Sequence, residues 1–274
     1  MTTQPPAKIN LSLTIKGRRD DGLHELETVV LPLPSLTDQL TIEPSDHYSL
    51  HCPTPGVPTD QSNLVSRAIR LFEKETGITC PYRVTLEKKI PHGAGLGGGS
   101  ADAAHALLAL NKLTGANLTI ETLANWSAQI GSDLPLFLYQ SPCLCTGRGE
   151  IIEPLDFSWN RPILLFKPSF GIPTPWAYSR WKDSKEIRGI SYSKQQVDDI
   201  TLVNDLERPV FKKYRFLAEL KQFLLEQPET DAAMMSGSGS TVFAVLRNAN
   251  DARELTSRTL AKLDPTLWTH LCLF

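Results

Sequence analysis

Surplus positive charge is missing from this chain: 28 Lys and Arg face 30 Asp and Glu, for a formal net charge of −2. That balance gives no electrostatic case for nucleic acid or an anionic membrane as partner. Long apolar runs are missing too, and none approaches the length of a membrane-spanning helix. The opening Met1-Thr2-Thr3-Gln4-Pro5-Pro6 lacks the basic and apolar regions of a secretory signal. Cysteines are few, at 52, 80, 143, 145 and 272, with no CxxC pair. An odd count without that spacing argues against a disulfide framework or a zinc site, so a reducing, cytoplasmic home is expected. Cys143 and Cys145 would share one face of a strand and read as core. There is no low-complexity segment and no short-period repeat. A chain of 274 residues, 41% hydrophobic, has room for one large or two modest domains.

What is abundant is glycine in one place. The stretch Pro91-His92-Gly93-Ala94-Gly95-Leu96-Gly97-Gly98-Gly99-Ser100 holds five glycines within seven residues, and the alanine-rich run from Ala101 to Leu110 follows without a break. This is a glycine-rich turn feeding a helix N-terminus. Glycine permits positive φ and close approach of the backbone to a ligand. The free N–H groups of a first helical turn, with the positive end of the dipole, favour an anion, and a triphosphate is the expected occupant. Ser100 can add a hydroxyl to a phosphate or a metal ion. No lysine precedes Ser100, so this is not a P-loop. The preceding Arg83–Ile90 alternates like a half-exposed strand, unlike the continuous apolar run that a Rossmann strand requires.

Along the chain, residues 7–16 alternate Ile9, Leu11, Leu13 and Ile15 with Lys8, Asn10, Ser12, Thr14 and Lys16, a strand with one apolar and one polar face. The turn 17–22 and a returning strand over 28–33 follow. Helices are expected over 60–75, from Thr119 as N-cap through Ile130, over 214–226 and over 250–263. Strands are expected near 142–146, 161–167, 241–246 and 268–274. Residues 168–175, with three prolines, read as a loop. The polar stretch 179–200 reads as loop or exposed helix. A second glycine-serine loop spans Ser236–Ser240. The class is mixed α+β.

Three segments carry a resemblance. The Pro91–Ala104 stretch resembles the central phosphate-binding motif of the GHMP kinases. The opening Ala7-Lys8-Ile9-Asn10-Leu11, with Gly17-Arg18-Arg19-Asp20-Asp21-Gly22-Leu23-His24-Glu25-Leu26, is similar to the branch of that superfamily that acts on a cytidine-diphosphate-linked methylerythritol. Met235-Ser236-Gly237-Ser238-Gly239-Ser240-Thr241-Val242-Phe243 resembles its C-terminal glycine motif. Gly131-Ser132-Asp133-Leu134-Pro135, Ile172-Pro173-Thr174-Pro175 and Asn204-Asp205-Leu206-Glu207 come in the same order as in that branch.

The resemblance implies a two-domain GHMP kinase fold: residues 1–155 as a ribosomal-protein-S5-like domain with the ATP loop, and 156–274 as a ferredoxin-like domain. It implies phosphorylation of the substrate's tertiary 2-hydroxyl by ATP with Mg²⁺, in the non-mevalonate route to isoprenoid precursors, by a monomer or weak dimer. Lys8 and Asp133 correspond to the catalytic pair. The nucleotide set is Pro91, Gly93, Ala94, Gly95, Leu96, Gly97, Gly98, Gly99, Ser100 and Ala101, with Asn63 and Lys88 near adenine and ribose. Asn10, Leu23, His24, Tyr178, Gly237, Ser238 and Gly239 form the substrate set, and Ser100 is the one candidate metal ligand. Leu23 stands where the branch usually has an aromatic residue stacked on the cytosine. On residue type alone, Lys8 also reads as a solvated edge lysine, Asp133 as a helix cap, and Asp102 as a first-turn acid on the helix dipole. A kinase for a different alcohol and a non-catalytic nucleotide sensor remain the other readings.

Overall fold

The computed structural model describes residues 1–274, which form two compact units. The first comprises Met1–Lys8, Pro32–His92 and Gly97–Leu155; the second comprises Ile9–Leu31, Gly93–Leu96 and Asp156–Phe274. The glycine loop is thus divided between them at Leu96 and Gly97.

In the first unit a four-stranded sheet runs in the order Thr2–Thr3, Gln39–Pro44, Tyr82–Glu87, Ser49–His51. Leu40 pairs with Leu86 and Ile42 with Val84, and all four are buried, while Arg83 and Glu87 face water. This is the half-exposed alternation read in the sequence, displaced to 82–87. The helices are α1 (Leu64–Thr76), α2 (Gly98–Thr114), α3 (Ile120–Ser127) and α4 (Leu134–Tyr139). Asn63 caps α1, Thr119 caps α3 through Thr122 N, and Gly77 and Gly115 end α1 and α2 in the left-handed region. Ala101, Ala103, Ala104, Ala106, Leu107, Ala109 and Leu110 are all buried, so α2 is buried on most of its circumference. Small side chains let α1 and α4 pack close against it. A hairpin of Cys143–Thr146 with Ile151–Pro154 completes the unit.

The second unit contains α5 (Thr174–Ser179), α6 (Glu207–Lys213), α7 (Arg215–Leu225) and α8 (Ala252–Lys262). Its antiparallel sheet runs Thr230–Met235, Val242–Leu246, Ile163–Lys167, Trp268–Cys272. Counted along the chain from Ile163, the strands lie 4-1-3-2 with helices after the first and third, the ferredoxin-like βαββαβ arrangement. Both central strands are wholly buried. Leu217, Leu220 and Leu224 of α7 and Leu255 of α8 close the core over Leu164 and Phe166. Each such side chain contributes about 1.5–3 kcal/mol of burial. A second group of strands runs Gln195–Val197, Ile200–Asn204, Ser12–Arg18 and the first half of His24–Thr37.

Several expectations change. The strand over 7–16 is two strands, Pro6–Asn10 and Ser12–Arg18, and its polar face is solvated only in part: Lys16 is exposed, whereas Lys8 and Asn10 are buried. The stretch 179–200 holds the strand Gln195–Val197, because Gln195 and Val197 pair with Leu202 and Ile200. The proline-rich 168–175 runs into α5, with Pro173 as N-cap and Pro175 in the first turn.

Candidate active site

Gly97 is the N-cap of α2, with φ +72° and no side-chain cap. The first helical bond is Ala101 N–H to Gly97 O at 3.0 Å, so the N–H groups of Gly98, Gly99 and Ser100 have no intrahelical acceptor. Three unpaired donors at a helix N-terminus are the arrangement that suits an anion. A Cβ at Gly97 would lie 2.7 Å from Phe137 Cζ and 3.0 Å from Lys8 Cγ, so both φ and packing demand glycine.

Lys8 Nζ lies 3.7 Å from Asp133 Oδ2; the lysine side chain is 6% exposed and the aspartate 49%. Asp133 immediately precedes α4 but makes no capping bond, so the cap role read from its sequence position is not the one its carboxylate adopts. Beside this pair Cys145 is buried, and burial, then Cys143 and Asp133, push its thiol well above the ordinary range. It is an inert core thiol.

Two residues of the expected nucleotide set make hydrogen bonds within the chain. Asn63 Oδ1 accepts from Val65 N at 2.8 Å and Nδ2 donates to Pro58 O at 2.7 Å, which uses the amide as a helix cap. The Lys88 side chain is 8% exposed and donates to Asp38, and to Asp102 Oδ2 at 2.7 Å. Asp38 Oδ1 in turn accepts from Lys89 N at 2.6 Å and Ile90 N at 2.9 Å. Burial opposes the charge on Lys88, yet Asp102 and Asp38 outweigh it and raise its pKa. Burial pushes the Asp102 carboxyl up to about 7 against the pull of Lys88. Asp102 lies beyond the first turn of α2 and is buried, so it is an ion-pair anchor and not a dipole-facing surface acid. Lys88 Nζ would meet a Cβ at Gly98 at 3.1 Å, which places the ammonium directly under the start of α2.

In the second unit the first half of the loop is a structural seam. Gly93 and Gly95 have φ +64° and +77°. A Cβ on Gly95 would stand 2.5 Å from Ser236 O and 2.9 Å from Gly239 O. Ala94 and Leu96 are buried, so they offer only backbone to a ligand. Gly237 and Gly239 have φ +55° and +86°, and Ser238 Oγ lies 2.8 Å from Thr174 Oγ1.

Asn10 Nδ2 donates to Thr28 Oγ1 at 2.8 Å. The His24 ring lies 5.5 Å from Tyr178, tilted, and 6.0 Å from Trp181, edge-on. Burial, then the Arg18 charge, lowers the His24 pKa, so the ring is neutral near pH 7. Leu23 is 45% exposed on the turn. Trp181 was missed in the sequence; its place three residues after Tyr178, one turn further along the chain, was the available signal. No group of three or more His, Cys, Asp or Glu is placed to hold a metal ion. No helix is long and apolar enough to cross a membrane.

Family models for the GHMP kinases N terminal domain and the GHMP kinases C terminal match residues 63–141 and 189–262. A 4-diphosphocytidyl-2-C-methyl-D-erythritol kinase of Methylacidiphilum infernorum is 41% identical over 273 residues, covering 97% of this chain and 94% of the relative. The chain belongs to that kinase family. The kinase of the same name from Thermodesulfovibrio yellowstonii is 38% identical, over 93% of this chain and 92% of the relative. A crystal structure of 4-(cytidine 5'-diphospho)-2C-methyl-D-erythritol kinase superposes over the whole of both chains, with TM-score 0.80 and 32% identity. Homoserine kinase from Cytophaga hutchinsonii, at TM-score 0.71 and 17% identity over 99% of this chain and 93% of its own, shares the fold. As a member of this family the chain is an ATP-dependent small-molecule kinase of the GHMP fold.

Proposed function

We propose that this kinase transfers the γ-phosphoryl group of ATP to the 2-hydroxyl of 4-diphosphocytidyl-2-C-methyl-D-erythritol, giving the 2-phosphate and ADP, a step toward isoprenoid precursors by the non-mevalonate route. The observation that carries the mechanism is the Lys8–Asp133 pair. A tertiary alcohol is a very weak acid, so a half-exposed carboxylate helps by orienting the O–H and accepting its proton late in the transfer. The neighbouring ammonium steadies charge developing on the transferring oxygens. The N–H groups of Gly98, Gly99 and Ser100 receive phosphate oxygens.

His24, Tyr178 and Trp181 form the aromatic surface assigned to the cytosine, with neutral His24 able to donate from one ring nitrogen and accept at the other. Mg²⁺ is part of this reading. The donor set suits an ion that keeps water and phosphate ligands, since Ser100 offers a single hydroxyl and no carboxylate cage exists. Bound with ATP, Mg²⁺ would neutralise phosphate charge. All five cysteines are free thiols, which supports a reducing, cytoplasmic setting; relatives in plants are named as chloroplastic.

The test is a substrate panel with ATP and Mg²⁺, read by phosphorus NMR. A new phosphomonoester signal is expected with the cytidine-linked substrate. Phosphorylation of homoserine or mevalonate, and not of that substrate, would reassign the acceptor.

A further inference from the structure

The segment Asn204-Asp205-Leu206-Glu207 has itself been assigned no chemical role, yet its polar side chains are almost wholly committed. Asn204 is buried. Its Nδ2 donates to Met235 O at 2.7 Å and to Gly237 O at 2.8 Å, and its Oδ1 accepts from Leu206 N at 2.9 Å. The reversed amide would set Oδ1 against two carbonyl oxygens, so the orientation is fixed. Glu207 Oε1 accepts from Met235 N at 3.0 Å, and Lys221 Nζ neutralises its other oxygen at 2.6 Å. The last residue before the glycine-serine loop is therefore held at its N–H by Glu207 and at its carbonyl by Asn204.

Beyond that point the loop is closed by Ser236 N–H donating to Thr241 O and Gly239 N–H to Ser236 O, both at 2.9 Å, and Ser240 Oγ donates to Phe170 O at 2.6 Å. Gly237 and Gly239 have positive φ and no side chain to pack. The loop in turn sets the glycine loop. Ser236 Oγ donates to Gly95 O at 3.1 Å and Thr241 N to Ala94 O at 3.1 Å. There is no room for even a methyl group between Gly95 and the carbonyls of Ser236 and Gly239. Movement of residues 236–240 is passed directly to Ala94 and Gly95.

We propose that Asn204 is a positioning residue for the nucleotide: by fixing Met235 and Gly237 it sets loop 236–240, and through it the backbone of Ala94 and Gly95. This rests on the reading that the Gly93–Ser100 loop holds ATP. Asn204→Ala removes both donors. Asn204→Ser is milder, because its hydroxyl still accepts from Leu206 N but reaches neither carbonyl. Asp205→Ala is the control; it removes the bond from Ile15 N at 2.8 Å, in the same segment but directed away from the loop.

Calorimetry with a non-hydrolysable ATP analogue and steady-state kinetics decide the matter. Both Asn204 variants should weaken the analogue and raise KM for ATP about tenfold. Asp205→Ala should lower Tm and leave nucleotide affinity unchanged. Wild-type affinity in a folded Asn204 variant, equal weakening by Asp205→Ala, or failure of both Asn204 variants to fold while Asp205→Ala folds would each overturn the proposal. Absence of analogue binding by the wild-type chain would instead sink the nucleotide reading, and this inference with it.

Discussion

His105 lies on α2, buried, with Nε2 lacking a hydrogen-bond partner. Burial lowers its pKa to about 4. A base depressed in the folded state is protonated first in the unfolded state. Its contribution is therefore neutral above pH 6.5 and becomes unfavourable as pH falls from 6.5 to about 4, by roughly 3 kcal/mol in full. Asp102, one turn away, has the opposite sign: with its carboxyl raised to about 7, its stability contribution falls as pH rises from about 4 to 7. Comparing His105→Gln with the parent cancels the Asp102 effect. The Tm difference, variant minus parent, should grow as pH drops from 6.5 to 4; a flat difference would mean that His105 is not neutral in the fold. At the aromatic surface, Leu23→Tyr supplies a ring worth about 0.5–1.5 kcal/mol beyond area. KM for the cytidine substrate should fall severalfold, Tyr178→Ala should raise it, and ATP kinetics should not change in either. If Leu23→Tyr weakens the substrate, the base does not lie over residue 23.

At the scale of the element, α2 joins a glycine-capped N-terminus to a buried ion-pair anchor. Lys88 is flanked by Asp38 and Asp102, both buried. Removing the cation leaves two carboxylates in the core, and breaking such a pair costs about 3–5 kcal/mol. Lys88→Met should therefore lower the urea midpoint sharply. A nucleotide-contact role would instead leave the midpoint unchanged and raise KM for ATP. The sequence conveyed the glycine loop, the helix behind it and the Thr119 cap, because each rests on local chemistry within a few residues. It did not convey what Lys88 and Asn63 are bound to: Asp38 lies 50 residues before Lys88, and Pro58 O is a backbone atom with no signature. Helix α5 was hidden by its prolines, which read as loop breakers but stand at the N-cap and first turn, where a missing N–H costs nothing. The strands Gln39–Pro44 and Ser49–His51 were passed over because each is short and mixed in polarity, and only pairing with their neighbours in the sheet defines them.

For the whole molecule, each unit has its own core and its own share of assigned residues. Lys8, Asp133 and the start of α2 belong to the first; Asn10, His24, Tyr178, Trp181 and loop 236–240 belong to the second. The Lys8–Asp133 juxtaposition was legible only through the family resemblance, since 125 positions separate the two residues and neither has a distinctive neighbourhood by composition. What the sequence left undetermined was the state of Lys8: a strand lysine reads as solvated, whereas here it is buried with its ammonium turned to a carboxylate that declines to cap its helix. The measurement that tests this account most directly is turnover by Asp133→Asn, which keeps the shape and removes the charge and the proton acceptor. With folding verified, kcat for phosphorylation of the cytidine-linked substrate should fall on the order of a hundredfold or more while KM for ATP stays close to the parent's. Turnover near that of the parent enzyme would contradict the assignment of Asp133 and the mechanism built on it.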